Sequence, residues 1–543
     1  MPRARYCSIC VAPTWCPRAG RMTDRGRIII VGAGHNGLVC AAYLAKAGRE
    51  VLVLEAGERI GGAAMTREFA PGFRVSACAH LLYMLDAGVM RGLNLASHGL
   101  KPARSNLKTV ALASEGEHLV LDGGRLEAGR LPDNDRAALA EYHARMLRFA
   151  RVLAKQHDRR PPRIAGGGRP EAIAAAKLGL GIRRLGRADM REFLRVAGIN
   201  IFDVLEETFD TPLLKGALAF DAVLGTNLGP RSNNSVLTLL HRLSGQAVDS
   251  GSGPWLPEGG MGAVTEAIAA AARANGATVR TSCPVARITL DGGRVSGVEL
   301  ASGESLAAGT VISNADPART LLTLLGARHL ETGFAQRVHH IRSKGTAAKL
   351  HLALDGLPEF ARLPVPLAGE RLVIAPDPVY VEHAYDHSKY GGCSPDPALE
   401  ITIPSVHDRT LAPQGKHVLS AIVQYAPFDP RASTDAVRDA FLEQTLAVLD
   451  RYAPNLRRHI VASELLLPVD IEQEFRITGG HWHHGELALD QILMLRPVPG
   501  AAQYAMPVQG LYLCGAGCHP GGGVMGSAGR NAAQAVLSGE RPA

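Results

Sequence analysis

Between Ile28 and Gly62 the chain reads IIIVGAGHNGLVCAAYLAKAGREVLVLEAGERIGG, and few folds accommodate that order of residues. Ile28 to Val31 is a β-branched run suited to a strand buried on both faces. Gly32-Ala33-Gly34-His35-Asn36-Gly37 follows as a G-x-G-x-x-G loop. A helix comes next, packing through Leu38, Ala41, Ala42, Leu44 and Ala45 and ending at Gly48. A second strand, Val51 to Leu54, delivers Glu55. Gly32 permits the tight turn, Gly34 lets backbone approach a pyrophosphate, and Gly37 lets helix and strand pack closely. The helix N-terminus offers unpaired N–H groups and the positive end of its dipole. Glu55 follows Gly34 by 21 residues, the spacing at which an acid reaches ribose hydroxyls. Strand, loop, helix, strand and acid in register predict a dinucleotide site built from Gly32, Ala33, Gly34, Asn36, Gly37, Glu55 and Ala56.

The dinucleotide is indicated just downstream. Arg59, Gly61 and Gly62 complete an E-x-x-x-R-x-G-G continuation that a nicotinamide enzyme does not need. It resembles the FAD-binding signature of the flavoprotein superfamily that contains amine oxidases and carotenoid desaturases. There the Gly-Gly pair lets backbone pass the diphosphate and ribityl chain, so the resemblance implies FAD.

The 543 residues are expected to form two interwoven domains. A net charge of +8 without a long Lys/Arg run argues against nucleic acid as partner. A basic surface is compatible with peripheral contact to anionic lipid. The nine cysteines are odd in number and scattered, which suits structural thiols in a reducing compartment. Cys7 and Cys10 have no second pair for zinc, and no C-x₄-C follows the first loop, so neither a metal nor a disulfide-reductase centre is expected. No apolar run of about 18 residues is present to cross a membrane. Residues 1–26 read as a disordered tail or an upstream misread start, with Met22 as the alternative initiator.

Past this nucleotide unit (27–110), Asp133, Asn134 and Asp135 offer N-caps to a helix running to about Gln156. Leu139, Tyr142, Met146, Phe149 and Leu153 form its core-facing stripe. Residues 158–170 read as a basic Pro/Gly loop. The pattern from 171 to 249 is helical, and 111–254 is expected to be a helical cap. The nucleotide fold resumes over 255–330. It brings the helix after LPEGGMG and then strands Thr278 to Arg280, Val285 to Leu290, Arg294 to Leu300 and Ser305 to Ile312. No strand immediately precedes the glycines at 259–262, so they form no second dinucleotide loop, and no NAD(P)H site is expected. Residues 331–469 should supply a sheet roofing the cofactor, and 470–543 the last nucleotide segment. His383 and His387 are expected in a loop.

Two late motifs carry chemistry. Gly479-Gly480-His481-Trp482-His483-His484 places imidazoles, suited to moving protons, just before the last segment. Gly510 to Gly517 reads as a strand ending in glycines, and His519-Pro520-Gly521-Gly522-Gly523-Val524-Met525-Gly526 as a loop shaped for close backbone approach. The helix after it would direct its N-terminus at the pyrimidine end of a reduced flavin.

With both ends considered, the chain resembles the phytoene-desaturase-like flavoproteins, and within them the family of pyridine nucleotide-disulfide oxidoreductase domain-containing protein 2. GAGHNGLVCAAYLAKAG, IGGAAMTREFAPGF, LPEGGMGAVTEAIA, LALDQILMLRPVP and GLYLCGAGCHPGGGVMGSAGRNAA carry the resemblance. It implies an α/β fold: a Rossmann-type FAD-binding domain of the amine-oxidase type, interwoven with a mixed α+β substrate domain. It also implies that Val285 meets adenine through its backbone and that Gly515, Gly517, Gly523, Val524, Met525 and Gly526 hold the flavin end. His484 matches a histidine of the closer family and is the candidate proton acceptor. Two positions depart from the pattern. Ala516 stands where an acid often meets the ribityl chain, and Ala63 where amine oxidases carry arginine.

The expected activity is FAD-dependent desaturation of a small apolar, isoprenoid or lipid-like substrate, with electrons leaving to quinone or oxygen. The rivals are flavin amine oxidation and a flavin-bound, non-catalytic regulator of a membrane respiratory complex. The expected location is cytoplasmic, at most on a membrane surface, or the mitochondrial matrix in a eukaryotic cell. The oligomeric state stays open.

Overall fold

The computed structural model describes residues 26–163, 168–248, 253–432 and 434–539. The readings of the N-terminal tail, apart from Gly26, and of Cys7 and Cys10 lie outside these residues. So does the centre of the 158–170 loop.

A five-stranded sheet forms the nucleotide half. Its order is Thr278–Arg280, Val51–Leu54, Ile28–Val31, Thr310–Ser313, Leu511–Leu513, and every pairing is parallel. Three distant stretches of chain thus build one sheet. Ile28 to Val31 is the central strand and wholly buried, as its β-branched composition requires. The helices His35–Lys46, Gly262–Ala274 and Ser527–Leu537 cover the sheet and share its core.

The second sheet has eight strands, among them Ala347–Leu354, Arg371–Ile374, Ala398–Thr402 and His417–Gln424. Its outer face is apolar and packs on the helix Thr434–Tyr452. The helices Asp133–Ala154, Arg187–Val196, Ile201–Glu206, Pro212–Val223 and Ser235–Val248 share a core with the strands at one end of this sheet, and Arg169–Arg183 leans on that core. Leu139, Tyr142, Met146, Phe149 and Leu153 are buried in that helical core. No helix among the described residues is long and apolar enough to cross a membrane.

Several details depart from the sequence expectations. Asp133 and Asp135 lie in the first turn of their helix, where Pro132 is the N-cap, and Asp135 instead accepts the N–H groups of Asp210 and Thr211. His383 and His387 sit on the helix Pro378–Lys389, because Asp377 caps the N–H groups of Val379 and Tyr380 and Pro378 pre-sets the first turn. The strand read as 305–312 is two strands in different sheets. Ser305–Ala307 closes an antiparallel hairpin, and Thr310–Ser313 joins the parallel sheet after Gly309. A two-residue strand, Leu256–Pro257, does precede the glycines at 259–262. It pairs antiparallel with Pro102–Arg104, outside the parallel sheet. The boundaries at 110 and 469 fall inside the strand Thr109–Ala111 and the helix Pro468–Phe475.

Candidate functional site

A cavity lies between the two sheets. Its nucleotide wall begins where the central strand ends. Gly32 turns with φ +95° and donates its N–H to the Leu54 carbonyl at 2.8 Å. The Ala33 N–H donates to Glu55 Oε2 at 2.6 Å, and the Gly57 N–H to Glu55 Oε1 at 2.9 Å. The loop backbone therefore fixes the carboxylate at the cavity edge. Asn314, at the end of a neighbouring strand, presses against all three loop glycines. A Cβ on Gly34 would stand 2.6 Å from its Nδ2.

Gly32, Gly34, Asn36, Glu55, Ala56, Gly61, Gly62 and Val285 line the cavity along this wall. Ala33 and Gly37 stand behind it and hold the loop together. Arg59 is exposed and stands off the cavity, so the structure does not bring it to the others. At the far end Gly523 and Val524 line the wall with His483, His484 and Ala516. Gly515, Gly517, Met525 and Gly526 are buried just behind. Gly515 packs on the Asn314 carbonyl, and the Met525 carbonyl accepts the Asp86 N–H at 3.0 Å.

The helix Ser527–Leu537 does open beside this loop, but a carboxylate already meets its N-terminus. Asp86 accepts from Ser527 Oγ at 2.9 Å and from both Arg530 nitrogens at 2.8 and 2.9 Å. Its dipole is therefore partly satisfied from within the chain.

The wall contains buried polar atoms without a partner: His35 Nε2, Asn36 Oδ1, His483 Nδ1 and His484 Nδ1. Such atoms are costly when dry. Together with a loop that lacks room for a Cβ at Gly34, they fit a long, polar, backbone-hugging ligand. The imidazoles are neutral. Burial, and secondarily His484, lowers His35 to about 4. Burial, then Arg496, lowers His481 to about 3. Burial also lowers His484, against the pull of Asp316.

The opposite wall was not anticipated. In the eight-stranded sheet Lys349 and Glu400 both pair with Ile422, and His351 and Thr402 both pair with Ser420. Paired residues share a face, so one buried face of this sheet is polar and turned to the cavity, where Glu400 and Ile422 emerge. His80 bridges it. Its Nδ1 lies 2.7 Å from Lys349 Nζ and its Nε2 2.9 Å from Glu400 Oε1. Arg371 and Arg242 neutralise Glu400. Burial alone would raise that carboxyl, but the two guanidiniums hold it well below the usual range. Burial brings Lys349 down to about 7, and burial with Lys349 brings His80 to about 4. Tyr83, Phe475, Trp482, Leu81 and Leu224 complete this side.

These shifts dictate an acid limit. An unfolded histidine binds its proton near pH 6.5, whereas His35, His80, His241 and His519 in the fold bind theirs near 4. Between those values the unfolded chain holds more protons, so stability rises with pH and is lost as pH falls from 6.5 to 4. Each group contributes about 3 kcal/mol over that window. The urea midpoint is expected to fall steeply there, and less steeply in His80→Gln. A midpoint flat across the window would mean these imidazoles stay open to water.

A parallel nucleotide sheet, a glycine cradle with an acid at its edge and a second sheet roofing the cavity define a dinucleotide-binding flavoprotein. The comparisons with known proteins agree. The profile of the family described as flavin containing amine oxidoreductase matches residues 37–537, and the chain belongs to that family. It is 34% identical over 570 residues to the mouse pyridine nucleotide-disulfide oxidoreductase domain-containing protein 2, covering 98% of this chain and 97% of the relative. It is 26% identical to the lycopene-forming phytoene desaturase of Pantoea ananas, over 94% of this chain and 98% of that one. The cyclohexylamine oxidase of Brevibacterium oxydans shares the fold, with a TM-score of 0.55 at 17% identity over 95% and 99% of the two chains. The cofactor is FAD and the chain is an oxidoreductase. The six cysteines among the described residues are free thiols. Burial pushes Cys78 and Cys518 up to about 12, which leaves them protonated and poor nucleophiles.

Proposed function

We propose that the protein is an FAD-dependent dehydrogenase that introduces a double bond into an apolar, isoprenoid or lipid-like substrate. The observation that carries this reading is the set of apolar side chains Leu81, Leu224, Ile422, Phe475, Ile477 and Trp482 in the cavity lining, where His80 and Glu400 interrupt them on the wall opposite the glycine cradle. Likeness to a phytoene desaturase supports it. Bound FAD supplies the two-electron acceptor. The chain's own work is to hold the cofactor along residues 32–62 and 515–526, to exclude water, and to remove a proton. His484 is suited to that last task, since it lines the cavity as a neutral imidazole with Nδ1 unbonded. Electrons then leave to quinone or oxygen, in keeping with the single nucleotide loop in the sequence.

A second reading, amine oxidation, is favoured by the aromatic side chains of Tyr83, Phe475 and Trp482 on the cavity wall. The two are separated by following the visible flavin spectrum anaerobically while isoprenoid alkenes and then primary amines are added. Bleaching by the apolar series alone is expected. Bleaching by amines alone would replace the desaturase reading, and bleaching by neither would remove both. In His484→Ala, bleaching by the active substrate should slow by about a hundredfold or more. An unchanged rate would withdraw that role.

A further inference from the structure

The charge of this chain is concentrated. Residues 145–195 hold fourteen Arg and Lys against four Asp and Glu, a surplus of ten in a chain whose net charge is +8. The rest of the molecule is slightly acidic.

The fold gathers six of these fourteen cations along one groove. Arg148, Arg151, Lys155 and Arg159 follow one another at three- and four-residue steps along and just past the helix Asp133–Ala154, and with Lys177 and Arg184 they line a groove against the helix Arg169–Arg183. Arg148 pairs with Asp189, and Arg159 with Asp158. The other four have no acidic partner among the described residues.

The helix Arg169–Arg183 itself is unusual. None of its described side chains is buried. Leu178 and Ile182 lean on the helical core, but Ile173, Ala176 and Leu180, at three- and four-residue steps, point outward. Ile173 is 54% exposed and Leu180 46%. Lys177 and Arg183 flank that apolar stripe on either side. A water-facing helix has no reason to carry such a stripe, whereas a helix lying in a bilayer interface carries an apolar strip edged by cations.

We propose that this face, centred on the helix Arg169–Arg183, docks the protein on an anionic lipid bilayer. Phospholipid headgroups would fill the basic groove, and Ile173 and Leu180 would enter the acyl boundary. A nucleic acid would satisfy the cations but leave the apolar stripe wet. A second copy would bring ten surplus positive charges against ten more. The groove also adjoins the cofactor site. Gln156, on its wall, accepts through its carbonyl a hydrogen bond from His519 Nε2 at 2.9 Å, and His519 begins the glycine-rich loop. If the proposed apolar substrate is correct, the bilayer would be its source, but docking itself does not depend on that reading.

The test uses the full, FAD-loaded chain sedimented with phosphatidylcholine vesicles or with phosphatidylcholine–phosphatidylglycerol vesicles. Binding is expected to the mixed vesicles only, weakening as salt rises. Near such a surface each cation adds about fivefold to affinity, so K177E/R184E should bind at least about 25-fold more weakly. I173D/L180D should also lose binding. Both variants should keep their flavin spectrum and melting temperature, since these side chains are exposed and none of them lines the cavity. Equal binding to neutral vesicles, no binding to either, or full binding by K177E/R184E would overturn the proposal. A doubled mass in light scattering that I173D/L180D abolishes would assign the face to a second copy instead. Binding of duplex DNA without vesicle binding would assign it to nucleic acid.

Discussion

Gly37→Ala is expected to yield a chain that folds poorly around its cofactor and purifies without flavin. A Cβ at this position would lie 2.3 Å from the Gly32 carbonyl oxygen and 3.1 Å from Asn314 Cβ. The first of these is backbone in the same loop and cannot rotate aside. The helix His35–Lys46 must therefore lift off the strand end by about 1 Å, an overpacking strain of roughly 1–3 kcal/mol. The same shift withdraws the helix N-terminus, whose N–H groups are the natural donors to the diphosphate. Losing two charge-assisted hydrogen bonds at about 1.5–3 kcal/mol each weakens binding at least about a hundredfold. Visible flavin absorbance of the purified protein, before and after adding FAD, measures the loss. Two controls separate it from general damage. Gly48→Ala has positive φ and nothing within 4 Å, so it should cost about 1 kcal/mol and keep its flavin. Gly34→Ala meets the Asn314 amide, a side chain that can turn away, so it should retain more of the fold than Gly37→Ala while still losing affinity. Normal flavin content in Gly37→Ala would show that the loop does not work through close packing.

The glycine cradle was legible because its logic is local. A strand, three glycines and an acid within 35 residues specify turn, phosphate approach and ribose contact together. Arg59 illustrates the limit of that logic, since a place in a motif did not bring its side chain to the cavity. The opposite wall has no such local signal. His80 and Lys349 are 269 residues apart, His80 and Glu400 are 320, and only strand register joins them. One clue was present. In AAKLHLAL and ALEIT polar residues recur two apart within apolar strands, and in HVLSAIVQ Ser420 and Gln424 stand four apart, which marks one polar face on a sheet buried on both sides. The helix Pro378–Lys389 was also readable, since Asp377-Pro378 is a capping pair that outweighs the glycines after it. The split of 305–312 was harder to see, because both halves are strands and only their partners differ.

Arg496→Met should do the most damage of any single change remote from the glycine cradle. Arg496 is fully buried, and no carboxylate among the described residues pairs with it. Its guanidinium donates instead to carbonyls: His483 at 2.6 Å, Glu486 and Ala516 at 2.9 Å each, Gly485 at 3.3 Å and Gln491 at 3.4 Å. Burial lowers it only to about 10, so it stays charged at neutral pH. These bonds tie the loop carrying His483 and His484 to Ala516, which follows the last nucleotide strand. Methionine fills much of the volume but leaves five carbonyls without these donors, each costing about 1–3 kcal/mol before relaxation. Removing the buried charge returns part of its desolvation cost, and the net loss should be roughly 3–5 kcal/mol. Arg496→Lys keeps the charge but has only three donors, without the planar fork, and should lose about half as much. Two readouts are needed. Denaturant midpoints report the stability loss, and the temperature of flavin release reports the freed loop, because His484 and Ala516 both line the cofactor cavity. Flavin release should fall further than global melting, since the loop is cut loose from the strand end while both sheets keep their cores. If both temperatures fall equally, Arg496 stabilises the fold as a whole and does not serve the site in particular. If neither falls, water reaches these carbonyls and the guanidinium is dispensable.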